Sequence, residues 1–471
     1  MNALTPTQQE FDRAISHVSG NGSASGVDLR PPEFSDEALA LRFAEIHGDE
    51  LRYIAAWKKW FRWNGIRWVA DDTLMAFDYA RHICREAAAL CDKPTIAGLV
   101  ASAKTVAAVE RLAKADRRHA ATVDQWDTDP WLLNTPGGVV DLRTGDVRQA
   151  QSSDYLTKIT SVTPEQSYPT PRWLSFLDRI MVDDTEMIAF LQRLTGYMLT
   201  GITREHALSF GYGTGANGKG VFVNTLNGIL GDYHRTAPIE TFTSADRDRH
   251  PTDLAGLRGA RVVTATETQE GRPWDETKIK VLTGGDTISA RFMRQDYFEY
   301  APQFKLLVTG NHKPSLRSVD EAIRRRFHLI PFIVTIPPKE RDLELAEKLK
   351  TEWPGILAWM LSGCLEWQRL GLAPPATVTQ ATEAYLEAED ALAAWIDECC
   401  TVNASAWERT STLFGSWSTW AERNGEQRGD TKRFRGRLES RGVYHEREAG
   451  TRRAGYRGLR VNGELGRSWD A

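Results

Sequence analysis

The chain has 471 residues, a net charge of −4 and 41% hydrophobic residues, which is typical of a globular protein with about two to four domains. No apolar run approaches the roughly 20 residues that a membrane span needs. The start, MNALTPTQQEFDRA, lacks the basic lead and apolar core of a secretory signal. Five cysteines without a CxxC pair predict reduced thiols and no structural metal. We therefore expect a cytoplasmic protein with no membrane partner.

The N-terminal part is predicted to hold a mobile tail and a small α+β domain. Residues 1–35 include the run SGNGSASG, which is typical of a mobile segment. Residues 36–160 form the predicted domain and begin with the helix-like run EALALRFAEIHGDELRY. Alternating aromatic residues on both sides of Asn64 and Gly65 predict a β-hairpin with a tight turn.

The middle of the chain, residues 165–375, has the pattern of an α/β core. Two amphipathic helices, WLSFLDRIM and TEMIAFLQRLTGYMLTG, precede a strand, HALSFGYG, and then strands and helices alternate. Such alternation predicts a three-layer α/β fold. The segment PPATVTQATEAYLEAED that follows predicts a linker and a connecting helix.

The last part, residues 388–465, predicts a small winged-helix module. It has a helix pair, a basic helix (TKRFRGRLESRG) and a strand pair (VYHERE and YRGLRV). Between residues 431 and 460 the chain has ten basic and three acidic residues, a local charge of +7. Local patches of this kind bind phosphate backbones, whatever the total charge. We expect DNA contact here, and a partner-docking module with a solvated arginine face is the alternative.

The sharpest motif is a glycine-rich loop between the strand ALSFGY and the helix GVFVNTLNGIL. Glycines let backbone N–H groups turn toward phosphate oxygens, and the helix N-terminus adds partial positive charge. Lys219 would reach the β- and γ-phosphates of a nucleotide, whereas Gly220 replaces the Ser or Thr whose hydroxyl normally binds Mg²⁺. A merely flexible turn is the alternative. The predicted nucleotide-binding residues are Gly213, Thr214, Gly215, Ala216, Asn217, Gly218, Lys219 and Gly220.

Polar residues follow three further predicted strands or helices. The strand in RVVTATETQEG ends at Glu267, which would bind Mg²⁺ through water or polarise the attacking water, with Glu270 as a fallback. The strand FKLLVTGN ends at Asn311, which could orient the lytic water or merely start a turn. In DEAIRRRFHLIPF, either Arg325 or Arg326 is the candidate arginine finger for a neighbouring subunit, and a solvated helix end is the alternative.

The segment TKIKVLTGGDTISARFMRQDYFEYAPQFK predicts a helix, a turn and a strand pair. Its tip carries Arg291 and Arg294, and its flanks carry Phe292, Tyr297 and Phe298. Basic and aromatic side chains together suit a loop that tracks a DNA strand in a pore. A surface hairpin whose aromatic residues face the core is an equal alternative.

These motifs together resemble superfamily 3 helicases. GTGANGKG, VVTATETQEGRPW, TGGDTISARFMRQDYFE, LLVTGNHKP and DEAIRRRFHLIPF are ordered and spaced as in that family. The similarity is to the helicase half of phage and plasmid primases, related to poxvirus primase–helicases, and extends from about Asn64 to Val461. It implies a P-loop, AAA+-like motor in a homo-hexameric ring that uses ATP and Mg²⁺. Single-stranded DNA would thread the pore, and duplex or forked DNA would meet the C-terminal module.

The resemblance also implies roles for individual residues. Lys219 matches the phosphate lysine, Glu267 the acid that holds Mg²⁺, and Asn311 the sensor. The predicted catalytic residues are Lys219, Glu267, Asn311, Arg325 and Arg326. The predicted DNA contacts are Arg291, Arg294, Lys432, Arg433, Arg437, Arg452 and Arg453.

The implied function is an ATP-dependent helicase motor for phage, prophage or plasmid replication in a bacterial cytoplasm. No carboxylate pair or zinc-ligand spacing precedes the Trp-rich segment, so we expect no primer synthesis by the chain and a separate primase as a partner. One alternative is a remodelling ATPase that does not unwind DNA. Another is an ATP-binding initiator or regulator with a degenerate site, which Gly220 favours. A small-molecule kinase would leave the basic C-terminus unexplained.

Overall fold

The computed structural model describes residues 31–244, 252–266, 273–292, 296–316, 319–426, 428–439, 441, 443–447 and 453–462. The chain divides into two compact units, one of residues up to 63 with 69–123, and one of residues 64–68 with those from 124 onward. Most of the predicted tail, residues 1–35, lies outside the described residues, as do Glu267, Glu270, Arg294 and Arg452. Within the described part of the chain, every helix is too short or too polar to cross a membrane.

The N-terminal elements combine four helices with a four-stranded sheet in the order β3-β2-β1-β4. They are α1 (Asp36–His47), α2 (Met75–Ala89), α3 (Pro94–Val100), α4 (Ala103–Ala113), β1 (Leu51–Ile54), β2 (Lys59–Trp63), β3 (Trp68–Ala70) and β4 (Ala120–Ala121). Ser35 caps α1 by accepting a hydrogen bond from the Ala38 amide, which satisfies one of the free N–H groups of the first turn. The core packs Phe43 against Trp60.

The predicted hairpin around Asn64 is confirmed. β2 and β3 are neighbours in the sheet, and the residues that join them form a turn. The Asn64 side-chain oxygen accepts hydrogen bonds from the amides of Ile66 and Arg67, as Asn often does in turns. Gly65 has a φ of +91°, which a glycine adopts without strain.

The second unit contains a five-stranded parallel sheet in the order β14-β8-β13-β10-β9. Its strands are β8 (Leu208–Tyr212), β9 (His234–Thr236), β10 (Val262–Ala265), β13 (Lys305–Gly310) and β14 (Phe327–Pro331). The helices of this unit before residue 390 are α5 (Pro171–Met181), α6 (Thr185–Leu199), α7 (Lys219–Leu230), α8 (Thr252–Ala255), α9 (Glu276–Gly284), α10 (Glu321–Arg324), α11 (Leu345–Lys350), α12 (Trp353–Leu370) and α13 (Ala376–Ala388).

Helices cover both faces of this sheet. Along β10, Val262 belongs to one hydrophobic core and Val263 to another, and Leu307 and Leu306 of β13 divide in the same way. Successive side chains of a strand point to opposite faces, so each core lies on its own face. Strands buried on both faces are continuously apolar, as these are. The expectation of an α/β fold is confirmed, with a parallel sheet and flanking helices.

Two small antiparallel sheets accompany the parallel one. They consist of β5 (Leu132–Thr135) with β6 (Gly138–Asp141) and β7 (Val147–Arg148), and of β11 (Ile288–Ala290) with β12 (Phe298–Tyr300). The β11–β12 pair is the strand pair that the sequence predicts between α9 and β13.

The C-terminal elements have a hydrophobic core of their own, which includes Trp395, Trp417 and Phe434. They are α14 (Ala391–Cys399), β15 (Cys400–Arg409), α15 (Thr410–Arg423), α16 (Thr431–Glu439), β16 (His445–Arg447) and β17 (Ala454–Val461). The sheet order is β15-β17-β16, with antiparallel pairing. The sequence predicts the helices and the last two strands but misses β15, because residues 401–405 are exposed and lack an alternating apolar pattern.

Candidate functional site

The carboxyl ends of three strands of the parallel sheet lie side by side. The register places Tyr212 of β8 between Gly310 of β13 and Pro331 of β14. The glycine-rich loop, residues 213–218, follows β8, and Asn311 follows β13. Ligands of open α/β sheets bind outside the carboxyl ends of such strands.

The loop has a backbone that only glycine can supply at two positions. Gly218 has a φ of +83°, and a Cβ there would lie 2.6 Å from Cγ2 of Ile180. A Cβ on Gly213 would lie 2.2 Å from the carbonyl oxygen of Phe332. The loop therefore follows its path because these positions carry no side chain.

Hydrogen bonds from the segment after β14 hold the loop in place. The side-chain amide of Asn217 donates to the carbonyl of Phe332 at 3.0 Å, and the amide of Ile336 donates to the carbonyl of Ala216 at 2.8 Å. Ala216 itself has a φ of +51°, which is unusual for a residue with a Cβ. The loop is thus fixed before any ligand binds.

Lys219 begins α7 directly after the loop, and only 8% of its surface is exposed. Its Nζ donates to the carbonyl oxygen of Gly213 at 2.6 Å and to Oδ1 of Asn311 at 3.3 Å. Burial lowers the pKa of this ammonium below the usual 10.5. The two oxygens are uncharged, so a phosphate would stabilise the ammonium more strongly than its present partners do.

Gly220 is exposed on the first turn of α7. A Cβ at this position would meet no atom within 4 Å. The first side-chain atom of a serine or threonine therefore has room here. The packing around residue 220 therefore does not require a glycine.

The two candidate finger arginines differ in their surroundings. Arg325 is exposed just after α10. Arg326 is 6% exposed, and its guanidinium donates to Oγ1 of Thr283 at 3.1 Å and to the carbonyl of Ala322 at 2.7 Å. Burial lowers the pKa of Arg326. Of the two, Arg325 is the one whose side chain can reach another molecule.

The β11–β12 hairpin presents aromatic side chains to solvent. Phe292 is 41% exposed and Tyr297 is 58% exposed. The Phe292 ring stacks on Phe298 at 5.9 Å between centroids, and the Arg291 guanidinium lies 4.7 Å from the Tyr297 ring centre. Phe292 and Tyr297 therefore face solvent, whereas Phe298 is half-buried against the core and Tyr300 at the base of the hairpin is buried.

The basic residues near the C-terminus lie on α16, β17 and the segments beside them. Lys432 and Arg453 are exposed, and the Arg437 guanidinium lies 5.4 Å from the Trp417 ring centre. The side chain of Arg433 is not among those described. Arg435 forms an ion pair with Glu439, with 2.8 Å between Nε and Oε1.

Sequence reasoning missed the polar contacts of the connecting helix α13 and the two residues after it. The Tyr385 hydroxyl accepts from Nε1 of Trp274 at 3.1 Å and donates to the carbonyl of Pro314. Oε2 of Glu389 accepts from the amide of Leu316 at 2.8 Å. The spacing of the apolar residues predicts a buried face for α13, but no sequence signal identifies these partners across 70 residues or more.

The site has features that fit a nucleotide with Mg²⁺. The loop leaves no space for a Cβ at two positions, and a buried ammonium lies beside it without an acid among the hydrogen-bond partners given above. Among the described residues, no group of three or more His, Cys, Asp or Glu side chains could hold a metal ion by itself. A nucleotide-dependent Mg²⁺ needs fewer protein ligands, because phosphate oxygens and water supply the others.

Two family models match the chain. The model described as "D5 N terminal like" matches residues 40–182, and a family of unknown function (DUF5906) matches residues 211–326. The second match runs from the last residues of β8 to Arg326, so it contains the loop, Asn311 and both candidate finger arginines.

Viral proteins and a solved structure are also similar to the chain. Putative helicase L207/L206 of Acanthamoeba polyphaga mimivirus is 28% identical over 283 residues, which is 55% of this chain and 29% of that protein. Putative helicase 022R of Frog virus 3 is 24% identical over 295 residues, which is 57% of this chain and 30% of that protein. The aligned regions thus cover less than a third of either relative. The apo NrS-1 C-terminal region has the same fold, with a TM-score of 0.51 and 12% identity, over 91% of this chain and 100% of that one.

The chain thus has a D5 N-terminal-like region over residues 40–182 and a parallel sheet with flanking helices after it. Over about half of its length the chain is similar to viral proteins named putative helicases.

Proposed function

We propose that the protein is an ATP-driven DNA helicase motor for phage, prophage or plasmid replication. The observation that carries this proposal is the position of Lys219, held between the phosphate-loop carbonyl of Gly213 and the amide of Asn311 at the edge of the parallel sheet. The names of the viral relatives and the D5 N-terminal-like match support the helicase class. The proposed architecture is an AAA+-like core with a winged-helix C-terminal module, in a homo-hexameric ring. Priming would come from a separate protein.

Each residue of the site has a proposed task. The loop N–H groups and Lys219 bind the β- and γ-phosphates of ATP, and the positive end of α7 adds to the attraction. Glu267 would hold Mg²⁺ through water, and the ion would supply positive charge to balance that of the phosphates. Asn311 orients the attacking water once Lys219 has moved its hydrogen bonds to phosphate. Arg325 stabilises the charge that develops on the γ-phosphate bound to a neighbouring subunit.

DNA contact is proposed at two surfaces. Bases of a single strand would stack on the exposed Phe292 and Tyr297, while Arg291 and Arg294 contact the backbone. The C-terminal residues Lys432, Arg433, Arg437, Arg452 and Arg453 would bind duplex or forked DNA through its phosphates.

Gly220 favours a second candidate function, an ATP-binding replication initiator or regulator that turns over little ATP. Without a hydroxyl at this position, Mg²⁺ has one protein ligand fewer. A remodelling ATPase that does not separate strands shares every nucleotide-binding feature.

Steady-state ATP hydrolysis with and without single-stranded DNA tests the proposal, with Lys219→Ala as the control. We expect turnover that DNA increases and that the variant loses. Nucleotide binding without turnover in either condition would favour the initiator. In that case Gly220→Thr, which adds a hydroxyl at a position with room for a Cβ, should increase hydrolysis.

A further inference from the structure

The buried carboxylate of Asp390 lies where three elements meet. Asp390 is 4% exposed and caps α14 by accepting a hydrogen bond from the Ala393 amide at 3.2 Å. Its Oδ2 forms an ion pair with Nη2 of Arg441 and lies 3.8 Å from Nη2 of Arg324. One carboxylate oxygen is therefore shared by two guanidinium groups.

The two arginines come from different parts of the chain, one from the α/β part and one from the C-terminal elements. Arg324 is the last residue of α10 and immediately precedes Arg325, the proposed finger. Arg441 follows the basic helix α16, and its Nη1 donates to the carbonyl of Arg437 at 3.3 Å. Asp390 thus connects the end of the basic helix to the residue beside the finger.

The residues next to Asp390 hold a second part of the ATP site. Glu389 accepts a hydrogen bond from the amide of Leu316, and Tyr385 donates to the carbonyl of Pro314. Both partners lie in the loop that follows Asn311. The connector, defined as residues 385–390, therefore contacts the loop after the sensor and, through Asp390, the finger helix.

A shared buried carboxylate responds to the position of either arginine. If one arginine moves away, the buried carboxylate has only the other arginine to balance its charge. A DNA phosphate near the end of α16 would compete with Asp390 for the Arg441 guanidinium. Oδ2 would then be free to bind Arg324 more closely, and α10 would move with it. Asp390 would thus contact Arg441 more closely without DNA and Arg324 more closely with DNA. This difference would couple DNA binding to the position of α10.

We infer that Asp390 is a positioning residue that couples DNA binding at the basic helix to the orientation of Arg325 at the ATP site. This inference rests on the proposed function, because it needs both a DNA-binding α16 and a finger at Arg325. It adds a physical connection between α16 and Arg325, which the carboxylate of Asp390 provides.

Hydrogen–deuterium exchange of the full chain, with and without a forked DNA duplex, tests the inference. In the wild type, DNA should slow exchange in α16 and change exchange in the segment from α10 to β14 by about fivefold, the low end of allosteric coupling. Asp390→Asn keeps the helix cap, because Asn caps as well as Asp, and removes the charge. It should abolish the change at α10 and retain the protection of α16.

Three further variants separate coupling from simple loss of charge. Arg441→Gln should behave as Asp390→Asn does, and Arg441→Lys should keep part of the response because it keeps the positive charge. Arg435→Gln removes one charge from the same helix, but its partner is Glu439, so it should leave the response at α10 intact. Unchanged exchange in β8 and β13 would show that each variant is folded.

The outcomes distinguish the inference from the proposed function. If the wild-type chain shows no protection of α16 by DNA, the proposed DNA contact is wrong, and the inference is wrong with it. If α16 is protected but the α10 segment does not respond, the inference alone is wrong. The same holds if the response of α10 persists in both Asp390→Asn and Arg441→Gln.

Discussion

The glycine-rich loop and the basic helix α16 are both proposed to bind phosphate groups, but their structures differ. The loop has a fixed path, with two positions closed to any Cβ and Lys219 almost fully buried. On α16, Lys432 is exposed and Arg437 rests against the Trp417 ring. In the proposed function the loop would thus recognise phosphate through its geometry, whereas α16 would attract phosphate through several positive charges.

This difference predicts how each region responds to mutation. A geometric site depends on single atoms, so one substitution should remove most of its binding or catalysis. A charged surface distributes its attraction over several side chains, so one substitution should have a small effect that depends on salt. The following variants test whether the two regions behave in these two ways.

The largest effect is expected from Lys219→Ala, which removes the ammonium that the structure places between the loop and Asn311. Hydrolysis should fall to the background rate, and nucleotide affinity should fall with it. Both are measured on the purified chain by steady-state hydrolysis and by calorimetry. Retained hydrolysis would mean that the loop is not a phosphate site.

The pH dependence of nucleotide affinity should carry the signature of the same lysine. Burial holds the pKa of Lys219 below the usual 10.5, and a bound phosphate favours the charged form. Nucleotide affinity should therefore fall as pH rises through the lowered pKa of Lys219. This pH is below the one at which an exposed lysine loses its proton. The difference in affinity between the wild type and Lys219→Ala should shrink over the same pH range, and a constant difference would contradict this account.

Arg325→Ala and Arg326→Ala form a matched pair. Arg325→Ala should lower hydrolysis by about 10³-fold, the low end for an arginine finger, with an unchanged melting temperature. Arg326→Ala should lower the melting temperature instead, because it removes the bonds to Thr283 and Ala322. If the two variants exchanged these properties, Arg326 would be the finger and the exposure argument would be wrong.

Two glycine substitutions sharpen the geometric side of the comparison. Gly218→Ala should weaken nucleotide binding by about 5- to 150-fold, because strained backbone costs roughly 1–3 kcal/mol. Gly220→Ala, where the added Cβ meets nothing within 4 Å, should leave nucleotide binding unchanged. Equal effects of the two substitutions on the dissociation constant would show that the loop is not fixed.

The smallest effect is expected at the charged surface. Lys432→Ala should weaken duplex DNA binding uniformly across sequences and reduce the slope of log affinity against log salt by about one. Fluorescence anisotropy over a range of salt concentrations measures both. A loss of binding that salt does not change would indicate a geometric contact at Lys432.

The sequence predicted the elements whose signals are local. The loop, the strands that flank it and the basic helix follow from apolar periodicity and from glycine spacing within short windows. The α/β class follows from the alternation of these elements. β15 was missed, because its exposed residues carry no alternating pattern and the strand is defined by its pairing with β17, about 50 residues later.

The site could be predicted only in part, for the same reason. Asn311 and Lys219 could each be found beside a strand, but their 3.3 Å contact depends on strand order in the sheet. The different surroundings of Arg325 and Arg326 depend on Thr283, 43 residues away from Arg326. Asp390 gave no signal at all, because its partners are 66 and 51 residues distant in the two directions of the chain.

The central claim is that ATP hydrolysis at this loop separates DNA strands, and strand displacement tests it most directly. A forked duplex with one labelled strand would be incubated with the full chain, ATP and Mg²⁺, beside the Lys219→Ala variant. The account predicts release of the labelled strand by the wild type only, and none when a non-hydrolysable ATP analogue replaces ATP. Hydrolysis that DNA stimulates without any strand release would contradict the claim and identify a remodelling ATPase.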